Sequence, residues 1–394
     1  MNDRLDALIG DLTVEELALV SAAGSLVPVL SANAATADAT GRLPEEDITA
    51  LRKEGLFRLA TPRVYGGYEA GASAATAIAA EVGRGCPSAS WVLTVYYSAS
   101  LALWLFPDEV RHRVWGEDPD ATVCGSSAGA VPARAVDGGY LLSGRWGWAS
   151  GAHHATWAIL DLTVGADGPS PDRGVALVPM GELSVEDTWD MAGMRGTGSD
   201  TIVADDVFVP EEQVFLASKA ASAKGASAPV GVPRPQGLMG ALAAPVLGMG
   251  MAIYDHVVEK LRNGRPLTSA AAPYARAIDA PGVQANIADA AMLIDSAILQ
   301  ASRTARAVDR ATRTGARMSA LAIARTRMDG GFAARQIRQA VDKLLDVGGA
   351  SQFARSSPVQ RIWRDLGTAT RHPAFVTEVD RERYARLLLE LDGQ

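Results

Sequence analysis

The sequence predicts an α+β protein in which a β-rich domain lies between two helical regions. Helical spacing dominates the first 120 residues, and short β-prone segments separated by turns fill residues 121–216. Helical spacing then returns over long stretches after residue 236. The chain has 394 residues, of which 48% are hydrophobic, so it can bury a large core in two or three domains. We expect domains at 1–120, 121–216 and 217–394.

Composition and charge narrow the classes of function. The net charge is −8 and no long basic run is present, which argues against nucleic acid or a membrane as a partner. No run of about 18 apolar residues predicts a membrane span, and the opening MNDRLDALIGDL does not resemble a secretory signal. Cys86 and Cys124 form neither a CxxC pair nor a metal-ligand spacing. We therefore expect a cytoplasmic protein without a metal site.

The first region is predicted to be helical throughout. We expect helices near 14–37, 43–55, 72–83 and 87–106. The second of these starts with Pro44 and three acidic residues, which favour the first turn of a helix. The last, PSASWVLTVYYSASLALWLF, is apolar on nearly all sides, so it should be a buried helix.

The middle region changes to strands and turns. We expect strands near 121–126, 133–137, 140–148, 155–164, 174–179, 184–188 and 201–208. Asp137-Gly138-Gly139 is a strong hairpin turn between the second and third of them. Several short strands at this spacing predict a small β-barrel or sandwich.

The last region returns to helices after an interruption. Residues 217–236 are rich in Ala, Ser and Pro and read as a linker or mobile loop. Helices are expected near 238–261, 283–313, 319–345 and 381–391. Arginines recur along the two long central helices, where they either form solvated faces or bind a cofactor phosphate or an adjacent subunit.

The stretch 122–157 carries the strongest local signal for a ligand site. It combines a β-prone segment, a Gly/Ser/Ala turn and a hairpin that ends in Trp146-Gly147-Trp148-Ala149-Ser150-Gly151. Glycines allow a flat ligand to approach the backbone, and tryptophans offer planar walls. On local pattern alone, a hairpin with core tryptophans is the favoured interpretation. The P-loop and dinucleotide-binding patterns are both absent from the sequence.

Three segments together resemble the acyl-CoA dehydrogenase fold. They are GRWGWASG at 144–151, DMAGMRGTGSD at 190–200, and DVGGA at 346–350 with the pair Arg364-Asp365. In that fold the first lies against a flavin ring and the last reaches a neighbouring subunit's flavin. The resemblance implies an N-terminal helical domain, a central β-barrel or sandwich domain and a C-terminal four-helix bundle. It also implies a homotetramer.

Within this fold the chain is similar to the oxygenase components of two-component flavin-dependent monooxygenases. Common dehydrogenases place a catalytic glutamate after the Arg-Asp pair, where this sequence has Pro373, which cannot accept a proton. The pair Arg371-His372 beside it resembles the monooxygenase branch instead. The resemblance implies reduced FAD or FMN from a separate NAD(P)H-flavin reductase, O2 as co-substrate, and a C4a-hydroperoxyflavin.

The implied reaction is hydroxylation of a small aromatic or indole-like compound in secondary metabolism or catabolism. N-oxygenation of an amino sugar on the same scaffold is one alternative. A true acyl-CoA dehydrogenase, or a flavin-fold scaffold without chemistry, are the others. Ser150 is implied as the hydrogen-bond donor near the flavin N5, and His372 as a base on the substrate or as a donor to the peroxide. These two are the expected catalytic residues.

The resemblance also suggests binding residues. Expected flavin contacts are Val123, Gly125, Ser126, Trp148, Ser150, Arg262, Arg265, Gly348 and Gly349. Expected substrate-pocket residues are Trp91, Tyr96, Tyr97 and Ser100. Many relatives carry a histidine in the helix near Trp91, and this sequence has none there. Tyr96 and Tyr97 either replace that histidine or belong to the core.

Overall fold

The computed structural model describes residues 3–165, 171–218, 242–267 and 273–391. Within this part of the chain, seven α-helices precede a β-sheet and five follow it, which is the predicted order. The first strand begins at Val123 and the last ends at Leu216. The domain limits at 120 and 216 stay a prediction. Most of the linker expected at 217–236 lies outside the described residues.

The N-terminal helices cover most of the first 115 residues. They are α1 (Asp6–Ile9), α2 (Val14–Ser25), α3 (Val27–Thr40), α4 (Glu45–Lys53), α5 (Ala72–Gly85), α6 (Pro87–Ala102) and α7 (Asp108–Trp115). The single helix expected at 14–37 is wrong, because α2 and α3 are separate helices. Pro28 lies in the first turn of α3 and cannot continue a preceding helix, so the chain restarts after Leu26.

No single helix in the described ranges is long and apolar enough to cross a membrane. The helices α2 and α3 satisfy that test of length and composition only as a pair, and they are bent by 51° at their junction.

The central strands form one mixed sheet. They are β1 (Val123–Val136), β2 (Gly139–Ala149), β3 (Trp157–Val164), β4 (Asp172–Pro179), β5 (Ser184–Glu186), β6 (Asp200–Pro210) and β7 (Val214–Leu216). Their order is β5-β6-β2-β1-β3-β4-β7, and only the β1–β3 pair among them is parallel. The seven strands are hydrogen-bonded in one sheet, which refines the expected barrel or sandwich.

Two strand predictions need correction. The segments expected at 121–126 and 133–137 belong to one strand, β1, whose pairing with β3 is irregular between Ser126 and Val131. This irregularity explains why the sequence reads as two strands. The short edge strand β7 was not expected. The predicted hairpin is confirmed, since Val136 pairs with Gly139 and Gly138 has a φ of 75°.

The C-terminal helices are longer than those of the first region. They are α8 (Ala243–Arg262), α9 (Pro281–Thr314), α10 (Ala320–Gly348), α11 (Pro358–Ala369) and α12 (Thr377–Leu388). Helix α10 packs against α8, α9 and α12 and forms the centre of the bundle. The sequence reading missed α11 as a helix and placed the start of α12 four residues late.

Helix α5 joins the N-terminal helices to the bundle. It is buried along almost its whole length, and it lies against α8 at a crossing where two glycines meet. A Cβ built on Gly248 would come within 2.7 Å of Gly83 Cα, so the two backbones touch directly. Small residues on α5 therefore allow the close packing that seats the bundle beside the sheet domain.

The N-terminus of α5 is capped from a distant part of the chain. Its first backbone N–H groups, of Ala72 and Ser73, donate to the carboxylate of Asp309 on α9 at 2.6 and 3.0 Å. The preceding Gly71 has no side chain that could cap, and a Cβ there would lie 2.7 Å from Asp309 Oδ1. The carboxylate also complements the positive end of the helix dipole.

We predict that Asp309→Ala lowers the free energy of unfolding by about 1–2 kcal/mol, because two N–H groups of α5 lose their acceptor. Asp309→Asn keeps one acceptor oxygen and should lose less. Urea denaturation followed by circular dichroism measures both. Equal stability of the alanine variant and the wild type would contradict the proposed cap.

Candidate active site

A cleft of about 1730 Å³ lies between the sheet and the helices on both sides of it. Helix α6 and the strands β1, β2 and β3 form one side. The loop between β5 and β6, with α10, α11 and the turn after α11, forms the other. Its position at the junction of sheet and helical bundle is typical of cofactor sites.

Trp148 stands in this cleft in an unusual conformation. Its φ is 63°, in the left-handed region that a bulky residue rarely adopts. Its side chain is 61% exposed and meets Trp189 edge to face, with ring centroids 5.1 Å apart. A strained backbone that holds an aromatic face open is a feature of ligand sites rather than of cores.

Next to Trp148, a chain of hydrogen bonds runs through buried hydroxyl groups. Trp91 Nε1–H donates to Ser150 Oγ at 3.2 Å, and Ser150 and Ser199 Oγ lie 2.7 Å apart. Ser199 is 2.7 Å from Thr197 Oγ1, which donates to Met194 O at 2.8 Å. If each hydroxyl passes its proton onward, Ser150 accepts from Trp91 and donates to Ser199. One lone pair of Ser150 Oγ is then left for a ligand donor.

Met194 holds the far end of this chain. Its carbonyl oxygen also accepts from Trp189 Nε1 at 2.9 Å, and its own N–H donates to Asp365 Oδ1 at 2.5 Å. Met194 has a φ of 57°, so a left-handed residue again lies at the site. Burial raises the pKa of Asp365 to about 6, although the Met194 hydrogen bond opposes that shift.

His372 lies on the opposite wall, in the turn after α11. Its ring meets Trp91 edge to face, with centroids 5.5 Å apart. Nδ1 accepts the N–H of Ala374 at 3.1 Å, so a neutral ring carries its proton on Nε2. Burial lowers the pKa of His372 below its usual value, which favours that neutral form. The arrangement therefore suits a hydrogen-bond donor better than a base.

The structure brings six of the predicted site residues to the cleft. Its wall includes Trp91, Gly125, Ser126, Trp148, Ser150 and His372. The hydroxyl of Ser126 donates to Gly147 O, which ties β1 to β2 beside Trp148. The side chain of Val123 does not line the cleft, because it packs in a small core cluster with Trp115 and Ile159.

Three predicted pocket residues do not line the cleft. Tyr96 OH donates to Gly151 O at 2.6 Å and Tyr97 OH donates to Ala70 O at 2.9 Å, so both tyrosines are core residues. Ser100 is likewise buried outside the cleft lining. The cleft face of α6 carries Trp91, Val95, Ser98, Ala99 and Ala102 instead.

Four other predicted residues lie away from this cleft. Arg265 donates to Val347 O and, at 2.5 Å, to Gly348 O, so it caps the C-terminal end of α10. Gly349, with a φ of 63°, ends the helix beside that guanidinium. Arg262 is exposed and faces a separate cavity on the bundle.

Several site residues were missed. Thr197, Ser199 and Asp365 belong to segments that the resemblance singled out, and Trp189 directly precedes one of them, but their roles depend on contacts that a sequence does not display. The signal for Thr197 and Ser199 is compositional, since they are two hydroxyl side chains in a Gly-rich turn directly before β6.

A carboxylate–imidazole pair, Asp200 and His153, holds the loop between β5 and β6. His153 Nε2 lies 2.7 Å from Asp200 Oδ2, and Oδ1 of that aspartate accepts the N–H groups of Thr188 and Trp189 at 2.7 and 2.8 Å. One possible ligand atom from each of His153, Asp187 and Asp200 lies within 4.8 Å of the other two. Asp200 is thus engaged in positioning Trp189, and we assign no metal to this group.

The chain matches two family models, described as acyl-CoA dehydrogenase, N-terminal domain, over residues 13–113 and C-terminal domain over 241–377. It is 33% identical over 357 residues to the flavin-dependent monooxygenase, oxygenase subunit HsaA, of Rhodococcus jostii (strain RHA1), covering 89% of this chain and 92% of the relative. It is 31% identical over 388 residues to the FADH(2)-dependent resorcinol hydroxylase, oxygenase component, of Rhizobium sp. (strain MTP-10005), covering 94% of each.

A solved structure agrees with these relatives. XiaF from Streptomyces sp., in complex with FADH2 and glycerol, superposes with a TM-score of 0.90 at 33% identity and covers 95% of this chain and 96% of that one. Fold and site together define a flavoprotein with the acyl-CoA dehydrogenase fold. The chain belongs to the family of oxygenase components of two-component flavin-dependent monooxygenases. It therefore uses a reduced flavin from a separate reductase, as the resemblance implied.

The buried carboxyl of Asp365 gives a pH-dependent prediction. In the unfolded chain it loses its proton near pH 3.8, whereas in the folded chain it keeps it to about pH 6. This group alone therefore costs stability as pH rises from 4 to 6, by about 2–3 kcal/mol in total. Asp365→Asn lacks this titration and keeps an oxygen for Met194. We expect its stability relative to the wild type to increase over that pH range and then level off.

Urea denaturation of both proteins at several pH values measures this difference. Asp365→Ala is the control, because it leaves the Met194 N–H without its acceptor and should destabilise at every pH. A stability difference between Asp365→Asn and the wild type that stays constant from pH 4 to 7 would contradict the assignment.

Proposed function

We propose that this oxygenase component hydroxylates a small aromatic or heteroaromatic compound in the cleft bounded by Trp148, Ser150 and His372. The observation that carries the proposal is the convergence of an open aromatic face, a buried hydroxyl chain and a neutral imidazole on one cavity. The names of the relatives, a resorcinol hydroxylase among them, support an aromatic substrate.

The residues of the cleft fit a flavin ring. Trp148 offers a flat apolar face, and the backbone of Gly125 and Ser126 lies in the same wall. When bound, the reduced flavin supplies the electrons that activate O2. We propose FAD over FMN, because XiaF is described with FADH2 and the resorcinol hydroxylase as FADH(2)-dependent.

Ser150 is proposed to hold the reactive part of the ring. Its oxygen accepts from Trp91 and donates to Ser199, and the remaining lone pair suits an N–H donor such as N5–H of a reduced flavin. Because every residue of this hydrogen-bond chain is buried, the Ser150 oxygen is held in place before the ligand binds. Ser150 would thus orient the ring and keep water from that edge.

His372 is proposed to act as a donor through Nε2–H. Its Nδ1 accepts the N–H of Ala374, so to act as a base through Nε2 the ring would have to lose this hydrogen bond and carry its proton on Nδ1. Contact with Trp91 places the imidazole next to the residue that also holds Ser150. One side chain thus positions both proposed catalytic groups.

The substrate is proposed to lie along α6. Trp91, Val95, Ala99 and Ala102 follow one another at helical spacing and give that wall an apolar surface. A flat aromatic ring suits such a surface. An amino sugar would instead need several polar partners along α6, so N-oxygenation of a sugar is the weaker candidate.

We further propose a homotetramer built through the bundle. Large apolar side chains are exposed on α9 and α10, including Met292 at 69%, Leu299 at 61% and Phe332 at 43%. In such an assembly Arg262, Arg265, Gly348 and Gly349 would reach a neighbouring subunit's flavin, as in the related fold. We also propose a cytoplasmic location, supported by the free, buried thiols of the two cysteines.

The reaction with a supplied reductase tests the role of Ser150. We predict that Ser150→Ala lowers the affinity for reduced FAD by no more than about tenfold, the value of one hydrogen bond. The variant should release a much larger share of the consumed O2 as hydrogen peroxide, because the ring is less well held and water gains access. Peroxide per O2 consumed is the measurement.

Ser302→Ala provides a matched control, since it removes a buried serine hydroxyl that donates to Ala7 O on the far side of the bundle. It should keep the wild-type peroxide yield. If Ser150→Ala also keeps that yield, the proposed role of Ser150 is wrong.

A further inference from the structure

Three arginines line the helical wall of the cleft near its opening. Arg335 and Arg338 lie three residues apart on α10, so they project from the same side of that helix. Arg371 lies in the turn after α11, directly before His372. The proposed function uses none of these three residues.

Among the residues that the structure describes, few groups accept hydrogen bonds from these arginines. Arg338 donates to Thr370 O at 3.3 Å and Arg371 donates to Gly367 O at 2.6 Å. Within the described ranges, none of the three guanidinium groups lies within 4.0 Å of a carboxylate oxygen. Arg364, on the same cleft, differs in this respect, because it pairs with Asp38 at 2.8 Å.

The charges around Arg338 do not balance. Asp342 and Glu378 face it, whereas Arg335 and Arg371 repel it. Burial is the largest cause that lowers the pKa of Arg338, and the two neighbouring arginines lower it further. A half-buried cation that is held next to two others is costly unless an anion joins them. Arg335 and Arg371 are exposed and Arg338 is half-buried, and these three cations face only the two carboxylates of Asp342 and Glu378, so an anionic ligand would add a favourable charge.

The position of the cluster relates it to the substrate. Arg338 contacts the carbonyl of Thr370 and Arg371 adjoins His372, so both cations flank the turn that carries the proposed donor. Trp148 and Ser150, the proposed flavin contacts, lie on the sheet side of the cleft. An anion on these arginines would thus be held on the side formed by α10 and the turn after α11, across the cleft from the apolar face of α6.

We infer that Arg338 and Arg371, with Arg335 at the rim, form a subsite for an anionic group of the substrate, best matched by a carboxylate. A guanidinium offers a planar pair of N–H donors that fits a carboxylate in two-point contact. The substrate class is then an aromatic acid whose ring lies against α6. This inference rests on the proposed function, because it assigns the anion to the molecule that is hydroxylated.

A phosphate group of the flavin offers the same chemistry to these arginines. The experiment therefore needs separate arms for an aromatic acid and for the flavin phosphate. Suitable acids are p-hydroxyphenylacetate and indole-3-acetate, each compared with its primary amide, which has nearly the same shape and no charge. Suitable flavins are FAD, FMN and riboflavin, of which the last lacks phosphate.

We predict that the wild-type protein loaded with FAD binds each acid at least about tenfold more tightly than its amide, the value of a charge-assisted hydrogen bond. In Arg338→Gln and Arg371→Gln this preference should fall to within about threefold, because acid binding weakens while amide binding is nearly unchanged. Arg313→Gln, an exposed change on α9, should keep the full preference. Fluorescence titration gives the seven dissociation constants for each protein, four for the acids and amides and three for the flavins.

Two outcomes would overturn the inference. One is that the acids bind no more tightly than the amides, or that both glutamine variants keep the preference. The other is that the variants lose affinity for FAD and FMN but not for riboflavin, which would assign the arginines to the cofactor. The rate at which the bound reduced flavin releases peroxide on re-oxidation is measured in parallel. If it equals that of free flavin while the acid preference holds, the oxygenase reaction proposed for the cleft fails and the anion subsite stands.

Discussion

The candidate site depends on the backbone of Met194. Its N–H donates to the buried carboxyl of Asp365, and its carbonyl accepts from Trp189 and from Thr197. One residue in a left-handed conformation thus joins α11 of the bundle to the loop that precedes β6. Trp189, which packs against Trp148, and Thr197, which ends the hydroxyl chain, both donate to the Met194 carbonyl. Sheet and bundle must therefore be docked before the cleft acquires its shape.

The dependence of the site on Met194 explains why polar groups are buried there, although a hydrophobic contact would cost less stability. A carboxyl that accepts a backbone N–H fixes the direction of that N–H, whereas an apolar contact fixes only a distance. The cost is visible in the raised pKa of Asp365. A site that must hold a flat ring and exclude water gains more from defined geometry than it loses in stability.

The sequence predicts those parts of the site that lie within one continuous segment. Trp148, Ser150 and His372 belong to local motifs, and each lines the cleft. The sequence leaves Tyr96 and Tyr97 open between pocket and core, because α6 is apolar on all sides and its pattern does not reveal which face meets the cleft. Asp365 was missed as a site residue because its partner lies 171 residues away, and no local spacing records such a contact. The same limit hid the cap that Asp309 provides for α5.

The central claim is that the flavin ring lies between the sheet and the bundle, against Trp148 and Ser150. A crystal structure of the complex with FAD tests it most directly. The account predicts an isoalloxazine ring in contact with Trp148 and with its N5 within hydrogen-bond distance of Ser150 Oγ. A ring bound elsewhere on the chain, or one that leaves Ser150 without contact, would contradict the account.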